Sequence, residues 1–106
     1  MVTVELAIGL VTAVTLAASL AGISLLGVAQ ATVAESSAQL ARQTARGDDA
    51  AVWEAQQRVP EGAEVDVRRE PDGVTATVRL AVRVAGLGPV KVEASSWAAY
   101  EPGIGR

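Results

Sequence analysis

From Leu6 to Ala34 the chain carries no charged side chain, and a single carboxylate, Glu5, stands immediately before that run. In helical conformation these roughly 29 residues would extend roughly 43 Å, more than the roughly 30 Å hydrocarbon core of a bilayer. A carboxylate beside such a segment is costly in or near lipid unless a specific group neutralises it. The run far exceeds the roughly 7 to 15 apolar residues of a secretory signal, so a single spanning helix is expected rather than a cleavable signal. Gly9, Thr12, Thr15, Ser19, Gly22 and Gly27 suit membrane helices, where small residues let neighbouring backbones approach closely.

All other ionisable side chains lie from Glu35 onward, so the two parts of the chain face different solvents. The 106 residues leave room for one membrane segment, residues 1–29, and one small head, residues 30–106. A net charge of −3 and the lack of any basic cluster argue against nucleic-acid binding. Cysteine and histidine are both absent, and Lys91 is the only lysine. Disulfide staples, thiolate metal sites and imidazole general bases are therefore unavailable. Ser95 and Ser96 have no histidine to activate them, and Asp48-Asp49 lacks the further oxygen ligands a calcium loop needs. Gly86-Leu87-Gly88 reads as a hairpin turn, since no helix follows it as a phosphate loop requires. No enzyme activity, cofactor, metal or small-molecule substrate is expected.

The pattern predicts one helix from about Val2 to about Arg46, uninterrupted by proline and rich in Ala and Leu. Beyond Ala29 it turns amphipathic, with Val33, Ser37, Leu40, Ala41 and Thr44 recurring at helical spacing. Arg42, Arg46 and Gly47 mark its C-terminus. Asp48 is a good N-cap for a second helix near 49–58, and Pro60-Glu61-Gly62 turns the chain. The period then switches to two. Val65 and Val67 alternate with charges, Pro71-Asp72-Gly73 turns, and Val74, Ala76, Val78, Leu80, Val82 and Val84 form an apolar row. After Gly86-Leu87-Gly88-Pro89, a third strand from Val90 to about Tyr100 places Val92, Ala94 and Ala98 opposite Lys91, Glu93 and Trp97. The tail from Pro102 to Arg106 reads as loose. The fold class is thus α+β: a long N-terminal helix and a short helix packed on a three-stranded antiparallel meander. A sheet of that size needs a cover, for which Leu40 and Trp53 are the candidates. Trp53, Trp97 and Tyr100 are expected at the core or its edge rather than on a partner surface.

Met1-Val2-Thr3-Val4-Glu5-Leu6, leading into the apolar run and a helix-on-sheet head, resembles the mature N-terminus of type IV pilin-like proteins. Within that superfamily the chain is most similar to TadE-like minor pilins, or pseudopilins, of tight-adherence (Flp) pilus systems. The short Ala- and Val-rich head, the Ala-Arg-rich helix end and Trp97-Ala98-Ala99 add to the likeness. The resemblance covers the chain in outline and is specific only over Met1 to about Ala29. It implies cleavage by a prepilin peptidase that leaves an apolar residue at the position of Met1 and glutamate at that of Glu5. Leu6 stands where Flp pilins often carry an aromatic, which favours a minor role over that of major subunit. The resemblance also implies that Glu5 of an assembled subunit meets the free α-amine of an incoming one. Other pilin subunits, an assembly ATPase, a polytopic platform protein and membrane lipid are the implied partners. Gly9, Ala13, Ala17 and Ala21 form a four-spaced row of small residues, a candidate packing seam between membrane helices. The positive-inside tendency, read on Arg42 and Arg46, would place the head in the cytoplasm. The resemblance implies the reverse, a single-pass protein with its head outside the cytoplasm, free to enter a pilus. The other reading is a membrane-anchored binding module at the cell surface.

Overall fold

The computed structural model describes residues 2–84 and 86–103. Its elements are α1 Val2–Ala45, α2 Asp49–Gln57, β1 Glu64–Arg69, β2 Gly73–Val84 and β3 Gly88–Ala99. The strands form one antiparallel sheet in the order β1-β2-β3, so the α+β layout read from the pattern is the one observed. The molecule is an elongated rod, 76 × 21 × 16 Å.

Without proline, α1 runs 44 residues unbroken. Its end is built by the backbone at Gly47, whose φ of 73° is open to glycine without steric cost. The Gly47 N–H donates to Thr44 O at 3.1 Å and the Asp48 N–H to Gln43 O at 3.3 Å, the paired bonds of a Schellman motif. That geometry leaves Arg46 just outside the helix, one residue short of the expected end. Asp48 then caps α2, its Oδ1 accepting from the Ala51 N–H at 3.1 Å.

The C-terminal half of α1 lies along the inner face of the sheet. Val33, Ser37, Leu40, Ala41 and Thr44 are all buried, as their helical spacing requires. Facing them, Val74, Ala76, Val78 and Val92 are buried, with Leu80, Val82, Ala94 and Ala98 partly so. Each large aliphatic here contributes about 1.5–3 kcal/mol through removal from water. Mostly small residues on the helix seam let the sheet approach closely. Ser37, the one buried serine of the seam, donates to Ala34 O at 2.9 Å and shares a hydrogen bond with Ser96 Oγ at 3.1 Å. The pair ties the helix to β3 at one axial position. Gln30 adds a second tie, its Nε2 donating to Glu93 O at 3.0 Å.

Both tryptophans depart from expectation. Trp53 is 62% exposed and Trp97 54% exposed, so neither belongs to the core. α2 turns Ala55 inward with Ala51 and Val52 half-buried, and Trp53 falls off that stripe. Leu40 covers the sheet without it. Trp97 instead lies on the outer sheet face across bare backbone. A Cβ built on Gly73 would stand 2.6 Å from its Cε2, so the indole occupies the space a side chain would take. Tyr100 is half-buried, at the core edge as expected. The described part of the tail is a turn through Pro102 and Gly103; the rest of it lies outside the described residues.

Thr44 Oγ1 is buried without a hydrogen-bond partner among the described residues, whereas the Ser37 hydroxyl is fully used. Urea denaturation in detergent, followed by tryptophan circular dichroism, should rank three variants. Leu40→Ala should lose about 2–5 kcal/mol and Ser37→Ala about 1 kcal/mol, while Thr44→Val should be neutral or stabilising. A Thr44→Val loss as large as that of Ser37→Ala would contradict this packing.

Candidate functional site

The sheet does not cover all of α1. β2 pairs with β1 only as far as Arg79 opposite Glu64, so Leu80–Val84 and Gly88–Val92 continue as a two-stranded ribbon. The ribbon runs back along α1 towards its N-terminus. It reaches Gly22, where a built Cβ would meet Val84 Cγ1 at 3.1 Å. Leu26 and Ala29 pack in the same core. Every described residue before Gly22 is exposed, including Leu6 at 71%, Ile8 at 63% and Leu20 at 65%.

The lengths agree with one another. A 12-residue strand spans about 40 Å, and α1 from Gly22 to Thr44 rises about 35 Å. The bare stretch, Val2–Ala21, rises about 30 Å, the thickness of a bilayer's hydrocarbon core. This helix is long and apolar enough to cross a membrane. Two of its hydroxyls are satisfied within the helix, Thr12 Oγ1 donating to Ile8 O at 2.9 Å and Ser19 Oγ to Thr15 O at 2.8 Å. They add little polar burden in an apolar medium.

Glu5 lies in the first turn of α1, where a negative charge is favoured by the helix dipole by about 0.3–1 kcal/mol. Its implied counter-charge, the amine at Met1, lies outside the described residues. Gly9, Ala13, Ala17 and Ala21 are all exposed on the bare stretch, and a Cβ at Gly9 would have nothing within 4 Å. The row extends the ridge on which Leu25, Ala29, Val33, Ser37, Ala41 and Ala45 follow at the same interval. Each four-residue step advances about 40° past a full turn. The row therefore wraps around the rod and suits a neighbouring helix that crosses at an angle rather than one lying parallel. Glu5 and the small row share the bare stretch.

Two features were not foreseen. An apolar cleft of about 520 Å³ opens between the ribbon tip and α1, lined by Val14, Ala18, Gly22, Leu26, Val84 and Leu87. A leucine held between two glycines, in a turn that polar residues normally fill, was its sequence signal. A second cleft of about 500 Å³ lies between α1 and the end of α2, with Glu35, Gln39 and Arg58 on its walls. It needs the two helices to be placed relative to one another, which local spacing does not do. Among the described residues no group of acidic side chains is placed to hold a metal ion.

No protein-family model matches this chain, and neither a curated protein nor a solved structure does.

The contrast between the two glycines is testable by denaturation of the head in detergent. Gly22→Leu must displace Val84 and should cost about 1–3 kcal/mol. Gly9→Leu should leave stability within about 0.5 kcal/mol. Equal losses would place the edge of the head elsewhere on α1.

Proposed function

We propose that the chain is a non-enzymatic, single-pass assembly subunit of the pilin type: a TadE-like minor pilin or pseudopilin serving a tight-adherence pilus or a related secretion machine. The observation that carries this reading is one continuous helix with a carboxylate in its first turn, a bare apolar half and a half locked into a small head. The bare half waits in the membrane and is later buried among neighbouring helices. Exchanging lipid for helix contacts gains little hydrophobic free energy, so extraction draws on an assembly ATPase acting through a membrane platform.

Glu5 acts in this reading by charge matching. A prepilin peptidase frees the α-amine at the position of Met1, and the ammonium of an incoming subunit meets the Glu5 carboxylate of its neighbour. Each ion loses several kcal/mol of hydration, and their attraction offsets this only at contact. The pair therefore rewards correct axial register more than overall stability. The head stands on the extracytoplasmic side.

Exposed Trp53 and Trp97 favour a second reading, a membrane-anchored binding module, because aromatic side chains anchor interfaces. A mature N-terminus generated by cleavage after glycine favours the first reading, and an uncleaved one the second. N-terminal mass determination separates them.

Glu5→Ala should leave membrane insertion intact and abolish cross-linking to other pilin subunits in cells; cross-linking at the parental level would rule out the charge-matching role. Protease added to intact spheroplasts should degrade the head, and a protected head would place it in the cytoplasm instead.

A further inference from the structure

The β2–β3 ribbon ends in Leu87, which is 71% exposed and stands beside the boundary between the covered and bare parts of α1. On the outer face, Arg83 lies one rung and Lys91 three rungs behind the closing Val84–Gly88 pair, and both are exposed. Among the described residues neither has a carboxylate within ion-pair distance. The nearest acid on that face, Glu93, is already engaged by Arg79 Nε at 2.7 Å. The tip is thus an apolar residue followed by two unmatched cations.

We propose that this tip is a second membrane contact, in which Leu87 dips among the lipids while Arg83 and Lys91 meet anionic phosphate headgroups. The proposal rests on the membrane reading of α1 and adds to it a surface on the head. Three observations carry it. If Val2–Ala21 fills the hydrocarbon core, the surface of the bilayer falls at about Gly22, where the ribbon ends. The cleft beneath Leu87 is continuous with the lipid-facing side of α1 through Val14 and Ala18, and is open to an acyl chain. The charge is of the sign that an anionic bilayer surface attracts, and it lies at the depth where phosphates sit.

A helix alone leaves the head free to rotate and tilt about one axis. A second contact displaced to one side of the rod fixes which face of the head looks along the membrane. Trp97, towards the opposite end of the same outer face, is thereby held clear of the bilayer.

The chain has no cysteine, so single introduced cysteines can be labelled uniquely with an environment-sensitive fluorophore. Leu87→Cys, Asp72→Cys at the opposite end of the sheet, and Val11→Cys in the bare helix would be labelled on the full chain. Each would be reconstituted into vesicles mixing phosphatidylcholine with phosphatidylglycerol. The label at position 87 should be shielded from an aqueous quencher at least about fivefold relative to that at position 72. Adding Arg83→Gln and Lys91→Gln should restore quenching by up to about fivefold for each charge removed. Equal quenching at 87 and 72 with protection at 11 would overturn the proposal and leave the spanning helix standing. Quenching at 11 as well would remove the spanning helix itself. Shielding at 87 that disappears on diluting the protein in lipid would also overturn it, since a second copy would then fill the cleft.

Discussion

The packing of the C-terminal half of α1 against the inner face of the sheet is the interaction on which the rest of the molecule depends. A lone three-stranded meander of this size, with one apolar face open to water, is marginal. α1 supplies the missing layer through Val33, Ser37, Leu40, Ala41 and Thr44, while the Ser37–Ser96 and Gln30–Glu93 hydrogen bonds hold the axial position. Because one rigid helix is shared, everything N-terminal of Gly22 becomes a lever fixed to the head. Among the described residues nothing covers its bare apolar surface.

That division gives the two halves different physics. In the head, burial of apolar surface from water supplies the stability. Along Val2–Ala21 the same residue types face outward, and lipid or neighbouring helices are the media in which they are comfortable. Close packing of small residues and local pairing of charge would then govern association there. The wrapping of the small-residue ridge around the rod adds a geometric condition, because an angled neighbour can use it and a parallel one cannot.

Much of this was legible in the residues. The absence of charge from Leu6 to Ala34 specifies an apolar helix, while the five-residue seam from Val33 to Thr44 and the alternation of Val74–Val84 each specify an element and its buried side. Gly47 marks a helix end through its backbone conformation, and Asp48 marks the next helix start through its side-chain cap. The tryptophans were not legible, because their surroundings are set by tertiary placement. Trp97 settles over Gly73, a site that exists only once β2 and β3 are in register. The reach of the ribbon to Gly22 was hidden for the same reason. It depends on strand length measured against helix rise, so the final turns of residues 1–29 lie beside the sheet. Glu5 was visible from the first line, yet its role depends on a neighbour, and no single chain places that neighbour.

The most direct test of the central claim is alkaline carbonate extraction of membranes from cells producing the full chain. A rod whose bare helix spans the bilayer should remain in the sedimented membranes and enter solution only with detergent. Recovery in the supernatant as a monomer, without detergent, would show that Val2–Ala21 has found cover within its own chain and would contradict the account.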